Sequence, residues 1–292
     1  MVVIIAESIN IMSKTIGPAM RERNAAPIQA LAKTEASAGA DYLDLNIGPA
    51  RKAGDELMAW MVKTVQSVAD VPLSLDTTNP VAMEAGLRAY SGNSRPLINS
   101  ISPVRVDEML PMVQKYKAYM IGLLWGLDGM PRDANERGVL AVDLIYKANE
   151  AGIANEDIWI DPIATPVSQI TQVQSCFEFM SMLGDMAPGC KSTVGLSNIS
   201  NGSPAHLRPY LNRAFLAMLM KYNIYSAIAD VMDEELVQIA HGQMPEIVGL
   251  VHRMMDGDRP DPAKLTPKEL EYYKTVRVLL GETMYSDSWL EL

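Results

Sequence analysis

The sequence is poor in the residues that most often hold metals or cross-link small folds. Its 292 residues include only two cysteines, Cys176 and Cys190, and three histidines. Two cysteines outside any C-x-x-C pair are too few for a disulfide framework. The histidines, His206, His241 and His252, are scattered and stand at no metal-ligand spacing from a cysteine. A zinc site is therefore not expected.

Positive charge and long apolar runs are also scarce. Lys and Arg number 25 against 35 Asp and Glu, which gives a net charge of −10. Nucleic-acid binding needs a cationic face, so this class of partner is not expected. No apolar run reaches the ~18 residues of a membrane span, and the first residues, MVVIIAESIN, lack the pattern of a signal peptide. We therefore expect a cytoplasmic protein without membrane or nucleic-acid partners.

The chain does contain a regular alternation of short apolar runs with longer stretches of helical period. The runs are apolar throughout, which is typical of parallel strands covered on both faces. Eight strand–helix units in about 250 residues predict an α/β fold of the (β/α)₈ barrel type. A doubly wound nucleotide-binding sheet would carry G-x-G-x-x-G after its first strand, where this chain has ESINIMSKTIG. The eight runs are Val2–Ala6, Tyr42–Ile47, Val71–Leu75, Pro96–Asn99, Tyr119–Trp125, Ile158–Ile160, Ser192–Leu196 and Tyr225–Ala229.

The last part of the chain departs from this alternation. The segment 254–267 is rich in Pro, Gly and charge, and it predicts a loop within the eighth helical region. A final helix is predicted over Pro267–Gly281. We expect one domain over residues 1–292, with this helical tail packed outside the barrel or against another subunit. The preceding helices are predicted at Asn24–Ser37, Asp55–Val68, Val81–Tyr90, Val106–Lys117, Ala134–Glu150, Ser168–Leu183, Leu207–Tyr222 and from about Asp233.

At least seven of the eight predicted strands end in a polar residue. In a (β/α)₈ barrel, the carboxyl ends of the strands hold the active site. Helix capping explains two of these polar residues. Asn79 precedes Pro80, and Asp233 precedes two glutamates, so both are predicted N-caps. The others that follow their runs directly favour a ligand site, because most stand several residues before the next helix. They are Asp76, Asn99, Asp161 and Asn198.

The residue types at these strand ends narrow the chemistry. No lysine closes a strand, so a Schiff-base mechanism is not expected, and no Ser-His-Asp set is indicated. A magnesium site from Asp44, Asp76 and Asp161 is disfavoured because no phosphate-binding glycine loop accompanies it. A ring of Asp and Asn suits a flat neutral heterocycle with a hydrogen-bond donor edge, such as a pterin. By composition alone, the same ring fits many other polar ligands.

Taken together and in order, the strand-end motifs are more specific. They resemble those of the pterin-binding methyltransferases, in particular methyltetrahydrofolate:corrinoid/iron–sulfur-protein methyltransferase and the related enzymes of anaerobic methyl-group catabolism. The resemblance covers about residues 1–240 and resumes near 280–290, so the Pro-rich segment near 256–267 looks like an insertion. The motifs are ESIN (Glu7–Asn10), DLNIGP (Asp44–Pro49), LSLDTTN (Leu73–Asn79), INS (Ile98–Ser100), IDP (Ile160–Pro162), GLSN (Gly195–Asn198) and AIAD (Ala227–Asp230).

The resemblance implies a homodimeric (β/α)₈ barrel that moves a methyl group between N5 of tetrahydrofolate and the cobalt of a corrinoid carried by a partner protein. It implies no metal bound by this chain. Asn198 matches the catalytic asparagine that hydrogen-bonds N5. Arg208 either meets the benzoyl-glutamate tail of the folate or lies at the surface. The remaining pterin- or folate-binding candidates are Asp76, Asn99, Asp161, Glu7, Asp44 and Asn46.

Two alternatives stay open. Dihydropteroate synthase has the same fold and pterin site, but it normally carries a lysine or arginine beside the serine of its seventh-strand motif. This chain has Ser197-Asn198-Ile199 there. The second alternative is a non-catalytic folate-binding subunit of a corrinoid complex. The sequence does not fix the direction of methyl transfer. By analogy alone, the insertion slightly favours transfer from methylcorrinoid to tetrahydrofolate.

Overall fold

Eight parallel β-strands form the centre of a computed structural model that describes residues 1–291. They are hydrogen-bonded in the order β7-β6-β5-β4-β3-β2-β1-β8. The last gap is closed where Gly195 bridges Ile228, whose amide donates to the carbonyl of Val194 at 2.8 Å. The predicted (β/α)₈ barrel is thus confirmed. The strands are β1 Val3–Ala6, β2 Tyr42–Asn46, β3 Leu73–Asp76, β4 Leu97–Ile101, β5 Tyr119–Leu123, β6 Ile158–Asp161, β7 Lys191–Ser192 and β8 Ser226–Ala229.

Helices surround the barrel and cover its apolar strands. The predicted N-caps are confirmed, since Asn79 accepts from the amides of Val81 and Ala82, and Asp233 accepts from that of Leu236. The helices are α1 Ile16–Glu22, α2 Ala25–Ser37, α3 Gly54–Gln66, α4 Pro80–Ala89, α5 Val106–Tyr116, α6 Ala134–Glu150, α7 Ile170–Met186, α8 Arg208–Met220, α9 Glu234–Ala240, α10 Pro245–Met255 and α11 Pro267–Leu279. Within residues 1–291, no helix is long and apolar enough to cross a membrane.

Three elements differ from the sequence prediction. A short helix, α1, precedes α2 and was not predicted. The eighth helical region is split into α9 and α10 near Gly242, whose φ of 72° ends the first helix in a left-handed turn. Strand β7 is predicted over Ser192–Leu196 but is observed over Lys191–Ser192, so only Ser192 of the predicted run lies in it. The chain leaves the ladder because the Asn198 amide donates to the Gly195 carbonyl and closes a 3₁₀ turn.

The tail packs on the outside of the barrel, against α8, α10 and α7. Helix α11 begins with a capping box in which Thr266 and Glu269 each bind the other's backbone amide. It ends at Leu279, two residues before the predicted end. Trp289 is buried against it and donates from its indole nitrogen to Thr275 at 3.1 Å. The predicted position outside the barrel is therefore observed.

The amino-terminal end of the barrel is filled by aromatic side chains. Trp159 from β6 packs against Tyr42, Tyr119 and Tyr225, with ring centroids 5.0 to 5.6 Å apart. The Lys191 ammonium lies over the same cluster, 4.4 Å from the Tyr225 ring centroid. This packing closes one end of the barrel, so a ligand has access from the carboxyl ends of the strands.

Candidate active site at the barrel mouth

Strand register brings three of the candidate residues side by side at the mouth. Asn46 on β2 pairs with Asp76 on β3, and Asp76 pairs with Asn99 on β4. Directly paired residues of neighbouring strands point to the same face. The three side chains therefore form one polar layer, and Asp44 lies one layer deeper, two residues before Asn46.

The deeper layer orients Asn99. The buried Asp44 accepts on Oδ1 from the Ser74 hydroxyl at 2.6 Å and from the Asn99 side-chain amide at 3.1 Å. Burial raises the pKa of Asp44 to about 6, although both hydrogen bonds lower it. Because the Asn99 nitrogen is engaged by Asp44, its carbonyl oxygen is the atom left to receive a ligand donor. Sequence reasoning did not single out Ser74, which stands two residues before Asp76 in the LSLD motif.

Asn46 and Asp76 form a second pair. The Asn46 amide nitrogen donates to Asp76 Oδ2, and the Asn46 oxygen accepts from the Gly48 amide at 3.0 Å. Burial raises the pKa of Asp76 well above its ordinary value, and the nearby Asp44 carboxylate raises it further. With Asp44 and Asp76 close together, a proton is retained on this pair to higher pH than on a free aspartate. The layer can thus offer a donor as well as acceptors.

Asp161 lies at the end of β6 and is buried. Its Oδ1 accepts from the Ile163 amide at 2.8 Å, and its Oδ2 accepts no hydrogen bond from any residue in 1–291. Burial raises the pKa of Asp161 to about 6, while the Ile163 amide and the nearby Arg137 guanidinium lower it. A buried carboxylate with one unused oxygen is suited to a ligand with N–H donors.

Glu7 follows β1 and is hydrogen-bonded to the loop after β7. The Ser197 hydroxyl donates to Glu7 Oε1, and Arg208 donates to the Ser200 hydroxyl at 3.1 Å and to the Ser197 carbonyl at 3.4 Å. Burial raises the pKa of Glu7 to about 7. Arg208 therefore braces the loop after β7. A cavity of about 490 Å³ opens beside it, lined in part by Glu7, Arg208, Asn212 and Asp230.

Asn198 stands on the same loop and is exposed at the mouth. It ends the 3₁₀ turn Leu196–Asn198, and its side chain folds over Gly195. A Cβ added to Gly195 would lie 2.9 Å from Asn198 Nδ2. The glycine of the GLSN motif thus makes room for the asparagine amide.

The candidates divide into hydrogen-bonded groups. Asp44 joins Asn99, Asn46 joins Asp76, and Glu7 joins Arg208 through Ser197. Among the described residues, Asp161 and Asn198 make no side-chain hydrogen bond to these groups. No set of three His, Cys, Asp or Glu side chains in residues 1–291 is placed to hold a metal ion, and Asp44, Asp76 and Asp161 form no such set.

Comparison with known proteins identifies the family of this chain. Residues 10–228 match the family described as pterin binding enzyme. This match spans about three quarters of the chain. The chain belongs to the pterin-binding enzyme family. The matched region begins at Asn10 and ends at Ile228, so it contains every candidate residue except Glu7.

Two curated relatives carry methyltransferase or synthase names. The methylcorrinoid:tetrahydrofolate methyltransferase of Eubacterium limosum is 27% identical over 243 residues, which cover 80% of this pterin-binding enzyme and 87% of the relative. The methionine synthase of Mycobacterium tuberculosis is 26% identical over 211 residues, or 68% of this chain. These residues are only 18% of the methionine synthase.

Solved structures support the fold. The dihydropteroate synthase of Xanthomonas albilineans with 4-aminobenzoic acid superposes with a TM-score of 0.62 at 19% identity, over 84% of this chain and 92% of that one. The enzyme from Stenotrophomonas maltophilia gives 0.63 at 15% identity, with the same coverage. At this identity, the likeness shows that the chains share a barrel fold. It does not show whether they share a reaction.

Proposed function

We propose that this pterin-binding enzyme transfers a methyl group between N5 of tetrahydrofolate and the cobalt of a corrinoid carried by a partner protein. The observation that carries the proposal is the loop after β7, which presents the neutral amide of Asn198 at the mouth. A methyl transfer at N5 needs such a donor and no cation. The similarity to the Eubacterium limosum methyltransferase, which extends over 80% of this chain, supports the same reaction class.

The polar layer supplies the pterin contacts in this proposal. The pterin ring has a donor edge at N3 and its 2-amino group, and Asp161 has one unused carboxylate oxygen to receive it. Asn99 and Asp76 offer further hydrogen bonds from the neighbouring strands. Arg208 and the cavity beside it would receive the benzoyl-glutamate tail. The charge of Arg208 suits the carboxylates of that tail.

The chemistry at N5 explains the absence of a nucleophile on the chain. The corrinoid supplies the cobalt, so the protein needs no lysine, cysteine or histidine of its own. When the methyl group leaves for the cobalt, the N5–carbon bond would break, a cobalt–carbon bond would form, and N5 would keep its electron pair and take up a proton from solvent. The Asn198 amide would donate to N5 as this charge develops and would act mainly on the transition state. In the opposite direction, from methylcorrinoid to tetrahydrofolate, the N5 electron pair would form the bond to the methyl carbon, the cobalt would keep the electron pair of the broken cobalt–carbon bond, and the N5 proton would pass to solvent.

The rim of the mouth carries apolar side chains that a partner protein could cover. Met12 is 85% exposed and Leu127 is 91% exposed, and Val104, Trp125 and Met232 are about half exposed. These residues stand on the loops after β1, β4, β5 and β8. Several exposed apolar residues at one end of a molecule are typical of an interaction site. We propose that the corrinoid protein docks on this rim, with Trp125 as part of the contact.

The direction and the assembly complete the proposal. The name of the Eubacterium limosum relative gives transfer from methylcorrinoid to tetrahydrofolate, and we propose that direction here.

We also propose a homodimer in the cytoplasm. Its interface would be the exposed stripe of Val139, Val142 and Tyr146 on α6, whose spacing places all three on one helix face.

The dimer has a direct test. Val142→Asp would bury a charge in the proposed interface, so we expect light scattering after gel filtration to give twice the chain mass for the parent protein and the chain mass for the variant. Val81→Asp, at an exposed position outside this stripe, is the control. A parent protein that is monomeric at micromolar concentration would contradict the homodimer.

The reaction is tested by anaerobic absorbance spectroscopy with free cobalamin. The enzyme is mixed with methylcobalamin and tetrahydrofolate, and separately with cob(I)alamin and methyltetrahydrofolate. Interconversion of the two cobalamin spectra is expected. A separate incubation with 4-aminobenzoate and a pterin diphosphate tests the dihydropteroate synthase alternative. Product in that incubation, with no cobalamin conversion, would overturn the proposed function.

A further inference from the structure

Arg137 on α6 is a completely buried cation that forms no ion pair with a carboxylate in residues 1–291. Burying an uncompensated charge is costly, and such a group normally has a role that outweighs the cost. The burial lowers the pKa of the Arg137 guanidinium. The side chain is therefore held in place by neutral acceptors, and their identity indicates what it does.

Those acceptors connect two helices to the end of β6. Arg137 Nε donates to the carbonyl of Pro162 at 2.8 Å, Nη1 to the Ser175 hydroxyl at 2.6 Å, and Nη2 to the Gln172 side-chain oxygen at 3.0 Å. Ser175 and Gln172 lie on α7, and Pro162 directly follows Asp161. One guanidinium thus ties α6 and α7 to the turn that carries Asp161.

That turn is under local backbone strain. Ile163 has a φ of 66°, a left-handed conformation that is unfavourable for a β-branched residue. In this conformation its amide points back to Asp161 Oδ1 at 2.8 Å. Arg137 donates to the carbonyl of Pro162, which lies between Asp161 and Ile163. This hydrogen bond holds the Pro162–Ile163 peptide in place. A strained turn of this kind persists only when its surroundings fix it.

We propose that Arg137 is a positioning residue for Asp161, fixing the Asp161–Ile163 turn so that one carboxylate oxygen stays free for the ligand. The nearby guanidinium also lowers the pKa of Asp161. The inference rests on the proposed function insofar as it takes the ligand to be a folate. The charged or titratable groups facing Arg137 are Asp161 from β6, Cys176 from α7 and Asp133 at the start of α6. Burial raises the pKa of Cys176 to about 12, so this thiol stays neutral over the range tested.

The test compares Arg137→Met and Arg137→Lys by calorimetry with 5-methyltetrahydrofolate between pH 5.5 and 8. We expect binding by the parent protein to weaken as pH falls through about 6, because Asp161 then becomes protonated. Arg137→Met lacks the cation, so we expect about tenfold weaker binding at pH 7 and a pH midpoint moved upward. Arg137→Lys keeps the charge and returns the midpoint toward that of the parent.

A second measurement reports the turn without any ligand. Hydrogen exchange of residues 158–167, followed by mass spectrometry, should be faster in both variants, because lysine does not reproduce the guanidinium contacts. Ser175→Ala removes one acceptor and leaves every charge in place. It should also speed exchange in this segment, and it serves if Arg137→Met does not fold.

The control is Arg95, another hydrogen-bonded arginine, which binds Asp157 at the closed end of the barrel. Arg95→Met should leave folate affinity and the pH midpoint unchanged. An Arg137→Met variant with the parent midpoint and parent exchange would overturn the inference. If the parent protein binds no folate at any pH, the proposed function fails, while the exchange of residues 158–167 still decides whether Arg137 fixes the turn.

Discussion

At the scale of single residues, each strand-end side chain has a different task. Asp44 and Ser74 lie under the polar layer and orient Asn99, whereas Asp161 leaves one oxygen unused. The apolar runs indicated Asp76, Asn99, Asp161 and Asn198, whereas Asp44 became a candidate through the resemblance of its motif to the pterin-binding methyltransferases. The sequence could not separate a supporting residue such as Asp44 from one with a free atom, since that depends on partners far away in the chain.

Asp161→Ala tests the residue with the free carboxylate oxygen. The change would leave the pterin donors unpaired, so we expect folate to bind about 10- to 100-fold more weakly at pH 7.5. Calorimetry measures this loss. Asp128→Ala, on an exposed part of the loop after β5, is the matched control and should bind folate like the parent. Unchanged affinity in Asp161→Ala would remove this residue from the site.

At the scale of elements, the loop after β7 shows what pattern alone could not supply. An apolar run over Ser192–Leu196 predicts a strand of five residues, but the observed strand is Lys191–Ser192, so only Ser192 of the run lies in it. The run ends early because backbone hydrogen bonds after Gly195 close a 3₁₀ turn. Similarly, the split of the eighth helical region depends on one glycine in a left-handed conformation. Strand existence was predictable here from local sequence, while strand length depended on contacts made at the strand end.

Gly195→Ala tests that element. The added Cβ would lie 2.9 Å from Asn198 Nδ2, so the asparagine must move away from its position. We expect slower methyl transfer, by about tenfold or more, with little change in the unfolding midpoint. Gly184→Ala on α7 is the control. An added Cβ there meets no atom within 4 Å, and it should stabilise the helix by about 0.5–1 kcal/mol. Equal rates in both variants would contradict the role given to Gly195.

At the scale of the whole molecule, several carboxyl groups are buried, including Glu35 on α2, which accepts from the Ser8 amide at 3.1 Å. Burial raises the pKa of Glu7 and Glu35 to about 7, and that of Asp44 and Asp161 to about 6. Their ordinary values are 4.5 for Glu and 3.8 for Asp. Between these limits, the folded chain binds more protons than the unfolded chain. The free energy of unfolding therefore falls as pH rises from about 4 to about 7.

Denaturant titrations from pH 5 to pH 8 check this sign. We expect the ligand-free protein to be more stable at pH 5 than at pH 8. Glu35→Gln should flatten the dependence by an amount on the order of 2 kcal/mol. In this variant the side-chain oxygen that accepts from the Ser8 amide is retained. A parent protein whose stability rises over this interval would contradict the raised pKa values of these carboxyl groups.

The barrel itself was the most predictable feature of the molecule. Eight apolar runs and the turns between them are local signals, and all eight appear as strands in the predicted order. The resemblance of the strand-end motifs to pterin-binding methyltransferases led to the family that the chain matches. The buried Arg137 was not predictable, because an arginine in a helical stretch normally lies at the surface.

The central claim is that the mouth transfers a methyl group at N5 with Asn198 as the donor. The most direct measurement is the single-turnover rate of methyl transfer between tetrahydrofolate and cobalamin for Asn198→Ala, set beside its folate affinity. We predict a rate lower by roughly 100- to 1,000-fold, with affinity changed only slightly. A rate equal to that of the parent protein, or losses of rate and affinity of the same size, would contradict it.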